Sequence, residues 1–190
     1  MALRALRQKR YFTSEEYLKL ERKALDKSEY YQGEIFAMTG ASRKHNLISG
    51  NVIRELGDQL KGRPCEVYPS DMRVRVRPTG LYTYPDVSVV CGEPLFDDSR
   101  GDTLLNPTVL IEVLSPSTEA YDRGEKFAQY RRLDSLQDYV LIAQDTVRVE
   151  HYRRRGELWV LSEMNDLDDE LQLKSIDCTV PLREIYDKVV

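Results

Sequence analysis

Apolar residues recur at four-residue intervals in SRKHNLISGNVIRELGDQLKG, where Ile48, Val52, Leu56 and Leu60 line up and Ile53 widens the stripe. The spacing predicts the first major helix, with Ser42 as its N-cap. Upstream, Thr13 and Glu16 stand three apart as a capping box, and Leu18, Leu20 and Leu25 continue a short surface helix over Thr13 to Asp26. Between the two, SEYYQGEIFAM reads as a hairpin turning at Gln32-Gly33.

Beyond Gly62 and Pro64 the period changes to two. CEVYP and MRVRVRP read as strands, the second alternating Val74 and Val76 with Arg73, Arg75 and Arg77, one face apolar and the other basic. YPDVSVVCG reads as one further strand, followed by a loop rich in Asp and Gly. PTVLIEVLSPS is apolar on both faces except at Glu112, the pattern of a strand covered on both sides. Asp122 to Leu133 reads as a helix, DYVLIAQD as a nearly all-apolar strand, and VRVEHYRRRGELWVL as a hairpin around Arg155-Gly156. A C-terminal strand and a short helix near Pro181 to Lys188 end the chain. Helix, three strands, helix and strand, with β elements added at both ends, make an α/β (α+β) mixed sheet flanked by helices.

The chain has 190 residues, enough to bury a core, and no Pro/Gly/Ser-rich stretch divides it, so one domain is expected. Its parts are an N-terminal helix and hairpin at about 11–40, a core at about 42–145 and a C-terminal β extension at about 146–190. Lys plus Arg number 28 and Asp plus Glu 32, a net charge of −4, so any polyanion surface is local. Cys65, Cys91 and Cys178 are odd in number and contain no CxxC, which disfavours a disulfide framework and a thiolate zinc site. A reducing cytoplasm fits this usage. The N-terminus is basic but lacks a signal-peptide core, and no apolar run is long enough for a bilayer, so no membrane association is expected. GxGxxG, GxxxxGK[ST], GxSxG and HExxH are all missing, and with them the expectation of an organic cofactor.

Glu112 carries the most information, because an ionised carboxylate inside VLIEVL costs several kcal/mol unless it is paired or metal-bound. Either a core arginine or an edge position relieves it, or it ligates a divalent cation. Asp86, after Pro85 at the start of the preceding strand, stands where strand pairing brings it beside Glu112. Two carboxylates on neighbouring strands form a hard-oxygen site suited to magnesium or manganese, whereas Pro-Asp alone is a common turn dipeptide. Asp122, Lys126, Tyr130 and Leu133 share one helix face. On that face Lys126 either orients a water toward the carboxylates or forms an ordinary surface pair with Asp122. His45 and Asp71, each near an element end, are auxiliary candidates. Arg73, Arg75 and Arg77, with Arg4, Arg7, Lys9, Arg10 and the run Arg153 to Arg155, form local basic patches that either are solvated or hold nucleic-acid phosphates.

GEIFAMTGAS followed by His45, then YPDVSVVC, IEVLSPST, YDRGEKFAQYRR and YVLI, occur in an order and spacing that resemble the Uma-type endonucleases, a bacterial branch of the PD-(D/E)XK nuclease superfamily. The resemblance covers nearly the whole chain and implies a restriction-endonuclease-like fold that cuts DNA with Mg2+ or Mn2+. By position it makes Asp86 the PD aspartate and Glu112 the second acidic member, both metal ligands with the Val113 carbonyl. Leu114 stands where the motif lysine belongs, and Lys126 on the following helix is the implied substitute. The resemblance also implies that Glu34 completes the site, and that the protein is a homodimer with DNA as its partner. If the chemistry was lost with the motif lysine, a nucleic-acid or protein binding module on the same fold is the alternative.

Overall fold

The computed structural model describes residues 11–189, so Arg4, Arg7, Lys9 and Arg10 lie outside the described residues. Its centre is a six-stranded sheet in the order β11-β10-β9-β8-β6-β3. These strands run Cys65–Pro69 (β3), Val87–Cys91 (β6), Val109–Leu114 (β8), Asp138–Ala143 (β9), Val149–Arg155 (β10) and Leu158–Met164 (β11). Only β8 and β9 pair in parallel; every other neighbour is antiparallel.

Both faces of β8 are buried. Val109, Ile111 and Val113 point to one side, where Ile48, Val52, Leu56 and Leu60 of α2 (Arg43–Leu60) cover them. Each such side chain contributes about 1.5–3 kcal/mol when fully buried. The hairpin β12–β13 (Glu170–Leu173, Cys178–Pro181) and α5 (Leu182–Ile185) close that layer with Leu171, Val180 and Ile185. Leu110 and Leu114 point to the other side, against Phe127, Tyr130, Leu133 and Leu136. There α3 (Glu119–Tyr121) leads through a π-helical turn, Asp122–Lys126, into α4 (Phe127–Tyr130). The expected Asp122–Leu133 helix thus begins three residues earlier, and its π-turn is of a kind frequently found at functional sites.

A second sheet, β2-β1-β5-β4-β7, packs beside that layer. Its strands are Ser28–Tyr31 (β1), Glu34–Ala37 (β2), Arg73–Val76 (β4), Leu81–Thr83 (β5) and Thr103–Leu104 (β7). The β1–β2 turn has Gln32 at φ 49° and Gly33 at φ 88°, the left-handed pair that a two-residue hairpin turn requires. Helix α1 (Ser14–Glu21) carries the capping box of Thr13 and Glu16.

Three expectations need correcting. The segment around YPDVSVVCG is two strands, β5 and β6 in different sheets, joined through Tyr84, Pro85 and Asp86. Cys65 and Cys91 form a disulfide, because they are directly opposed across β3 and β6, a register that a 26-residue spacing does not disclose. The arginine face of β4 is covered. Arg73 is buried against the rings of Tyr17 and Tyr84, bonded to Tyr84, Thr103 and Asp102, and Arg75 lies over Tyr82 with its charge on Asp97. Among the described residues, no helix is long and apolar enough to cross a membrane.

Candidate active site

The antiparallel register of β6 on β8 pairs Val87 with Ile111, so one step further Asp86 stands opposite Glu112. Proline at 85 fixes the backbone just where the chain leaves the second sheet to enter the first. Asp86 Oδ2 accepts the Val113 N–H at 2.7 Å and lies 3.1 Å from His45 Nε2. His45 is delivered by the first turn of α2, whose N-cap Ser42 accepts the His45 N–H at 3.1 Å and donates to Gln144 Oε1 at 2.5 Å. Gln144 in turn donates to the Leu114 carbonyl at 2.9 Å. The helix start and the C-terminal ends of β8 and β9 are thereby tied together.

From the other side, the π-turn and α4 supply Lys126 and Tyr130. Lys126 Nζ is 2.9 Å from Glu112 Oε1, 3.4 Å from Glu29 Oε1 and 3.5 Å from Asp122 Oδ1, and the Tyr130 hydroxyl donates to Glu112 Oε1 at 2.8 Å. The expected shared face of Asp122, Lys126, Tyr130 and Leu133 is present, all four buried. Glu112 has neither a core arginine nor an edge position; its partner is the lysine. The side chains of Glu112 and Lys126 are only 5% and 6% exposed. Burial pushes the Glu112 carboxyl up to about 8, against the pull of Lys126 and with the push of Asp122 and Asp86. Burial also disfavours the Lys126 ammonium, but Glu112, Tyr130, Glu29 and Asp122 outweigh it and hold the charge in place.

Except for Tyr130, Leu133 and Leu114, these groups line one cleft of about 1160 Å³, which Asp71 also reaches at its rim, exposed and 3.0 Å from Lys27. Glu34 does not line it. It stands in β2 opposite Tyr31, at the turn end of the hairpin, and the carboxylate that the hairpin brings to Lys126 is Glu29. Arg73, Arg75 and Arg77 do not line the cleft either; Arg77, mostly exposed, is 3.9 Å from Asp97. Sequence reading missed Glu29, although the alternation of SEYY separates Glu29 and Tyr31 from Tyr30, whose ring stacks on Tyr17 at 5.0 Å. It also missed Gln144 and Tyr121.

Among the described residues, no group of three or more His, Cys, Asp or Glu side chains is placed to hold a metal by itself. Magnesium ordinarily takes one or two carboxylates and fills its remaining positions with water, carbonyl and phosphate oxygens. The residues present fit that pattern: Asp86 and Glu112 are hard oxygen donors at opposed positions of neighbouring strands, and burial disfavours a Glu112 charge that a cation would stabilise.

A helix-flanked mixed sheet with paired carboxylates at adjoining strand ends is a restriction-endonuclease-like fold. The crystal structure of "a putative nuclease belonging to DUF820" from Anabaena variabilis superposes with a TM-score of 0.77 at 21% identity, over 94% of this chain and 99% of that one. The chain belongs to the Uma2 family, described as "Putative restriction endonuclease", which matches residues 14–182. Two Synechocystis proteins are similar to it along most of their length. The uncharacterized protein sll1609 is 40% identical over 161 residues, 84% of this chain and 91% of that one. The uncharacterized protein slr1290 is 39% identical over 172 residues, 90% of each chain.

Proposed function

We propose that the cleft is the active site of a metal-dependent nuclease that hydrolyses DNA phosphodiester bonds. The observation that carries this reading is Lys126 Nζ at 2.9 Å from Glu112 Oε1: a helix supplies a lysine where the strand, with Leu114, does not. Asp86, Glu112 and the Val113 carbonyl would hold magnesium or manganese. The ion supplies Lewis-acid polarisation of a phosphoryl oxygen and a more acidic water. Lys126, kept charged by the carboxylates around it, orients the attacking water and stabilises the negative charge that builds on phosphorus. His45 and the Val113 N–H hold Asp86 in place. The water oxygen bonds to phosphorus, the bond to the 3′-oxygen breaks, a proton passes to that oxygen, and the product carries a 5′-phosphate.

Calorimetric titration of manganese into wild type and Asp86→Ala tests the carboxylate pair, with binding expected only in wild type. Plasmid cleavage in magnesium tests Lys126, with Lys126→Ala expected to lose activity. Equal cleavage by wild type and Lys126→Ala overturns the assignment. Leu114 at the motif lysine's position favours a second reading, a binding module on the nuclease fold. It predicts no cleavage by wild type and DNA affinity insensitive to Lys126→Ala beyond one screened charge. A two-fold dimer, in the active reading, would form on the edge strand β11, where Leu158 and Leu161 are exposed.

A further inference from the structure

The lining of the cleft is unlike that of a protein that grips a duplex by its phosphates. It contains seven carboxylates against two lysines and one histidine. Both lysines are engaged, Lys27 with Asp71 at 3.0 Å and Lys126 with Glu112 at 2.9 Å. Duplex DNA carries one negative charge per about 1.7 Å of axis, and non-specific affinity for it scales with the cations offered. This cleft offers almost none from its described residues.

It offers an aromatic ring instead. Phe36 in β2 is 49% exposed, lines the cleft, and is paired across the hairpin with Glu29, whose Oε1 is 3.4 Å from Lys126 Nζ. Directly opposed strand residues share a face with Cβ atoms about 4.5–5.5 Å apart, so Phe36 stands beside Glu29, whose carboxylate meets Lys126. Leu25, fully exposed, also lines the cleft, and Tyr121, half-buried, adds a second ring from α3. An exposed ring is a surface on which an unpaired base stacks, and a duplex, with its bases already stacked, presents no such face.

Resting on the nuclease reading above, we propose that the substrate is DNA with unpaired nucleotides, and that Phe36 stacks on the base beside the scissile phosphate. The test is fluorescence anisotropy of a labelled single-stranded oligonucleotide and of its duplex, in calcium, with wild type, Phe36→Ala and Phe36→Trp. Wild type is expected to bind the single strand at least about tenfold tighter than the duplex, and Phe36→Ala to lose about tenfold in single-strand affinity, the loss expected of one stacked base. Phe36→Trp keeps the affinity. The salt dependence should be shallow, with a slope corresponding to one or two phosphates at about −0.7 each. Equal or tighter duplex binding, or unchanged single-strand binding by Phe36→Ala, overturns the proposal. Cleavage of both oligonucleotides in magnesium separates the two failures. Equal cutting of the duplex sinks the substrate assignment and leaves the nuclease reading standing. Single-strand binding without cleavage does the reverse.

Discussion

Two clusters of buried charge meet at Pro85: Tyr84 belongs to one and Asp86 to the other. The first is closed. Arg73 donates to Tyr84, Thr103 and Asp102 at 2.7–3.0 Å, Arg22 donates to Asp98 and to both oxygens of Asp102 at 2.8 Å, and Tyr84 donates to Glu21 at 2.9 Å. The Arg22 hydrogen bonds hold Asp102 down at about 2. The second is open. Around Lys126 stand Glu112, Glu29 and Asp122, with Asp86 beyond, and burial drives Glu112 up to about 8. Both clusters are ionic, yet Asp102, with 35% of its side chain exposed, is pulled down by its arginine, whereas Glu112, 5% exposed, is pushed up by burial. A network that exists to hold the fold satisfies its charges, whereas one that must accept a cation and a phosphate leaves negative charge over.

The largest expected contrast is in chemistry. Glu112→Gln should lower cleavage by at least about a thousandfold, roughly 4 kcal/mol in the barrier. Its melting temperature at pH 8 should change little, because Lys126 keeps Glu29 and Asp122 as partners and the carboxyl replaced is one whose charge burial disfavours. Unfolding of this variant would mean that the open cluster is structural after all. Arg73→Met should do the opposite. Removing one partner of a buried ionic network costs about 3–5 kcal/mol, read as a lower urea midpoint, because Tyr84 loses its arginine donor and Asp102 keeps only Arg22 and Thr103. Manganese affinity measured on the folded protein should not change, and a loss of metal binding would couple the two clusters.

How far the sequence discloses each cluster differs for a physical reason. Glu112 was legible because a lone charge in an apolar run is expensive wherever the strand lies, and Lys126 because helical spacing gives its face directly. The helix α2, the Gln32-Gly33 turn and the apolar strands β8 and β9 were legible for the same reason, each being set by local pattern. Arg73 was misread because alternation says only that it shares a face with Arg75, not that Tyr17 and Tyr82 cover that face. The resemblance implies Glu34, yet Glu29, on the same face, is the hairpin's carboxylate at Lys126, and only the β1–β5 pairing, Tyr30 against Tyr82, decides which end of the hairpin lies there. The Cys65–Cys91 bond likewise depends on the β3–β6 register. What was hidden in every case is a contact between segments far apart in the chain.

The smallest contrast is in the pH dependence of stability, where the two clusters should act with opposite sign. Glu112 has a folded-state value of about 8, above its unfolded value of 4.5, so the folded protein retains a proton that the unfolded chain gives up. Stability from this group is full below pH 4.5 and declines as pH rises toward 8. Asp102 is held at about 2, below its unfolded 3.8, so its stabilisation is present above pH 4 and lost as pH falls toward 2. Its side chain is 35% exposed, and water screening reduces the effect to about 1 kcal/mol. Urea midpoints from pH 3 to pH 9 should show the alkaline decline vanish in Glu112→Gln and the acid decline shrink in Asp102→Asn, each variant leaving the other limb intact. If a single substitution flattened both limbs, the two clusters would be one electrostatic unit, and the division at Pro85 between a closed scaffold and an open site would be wrong.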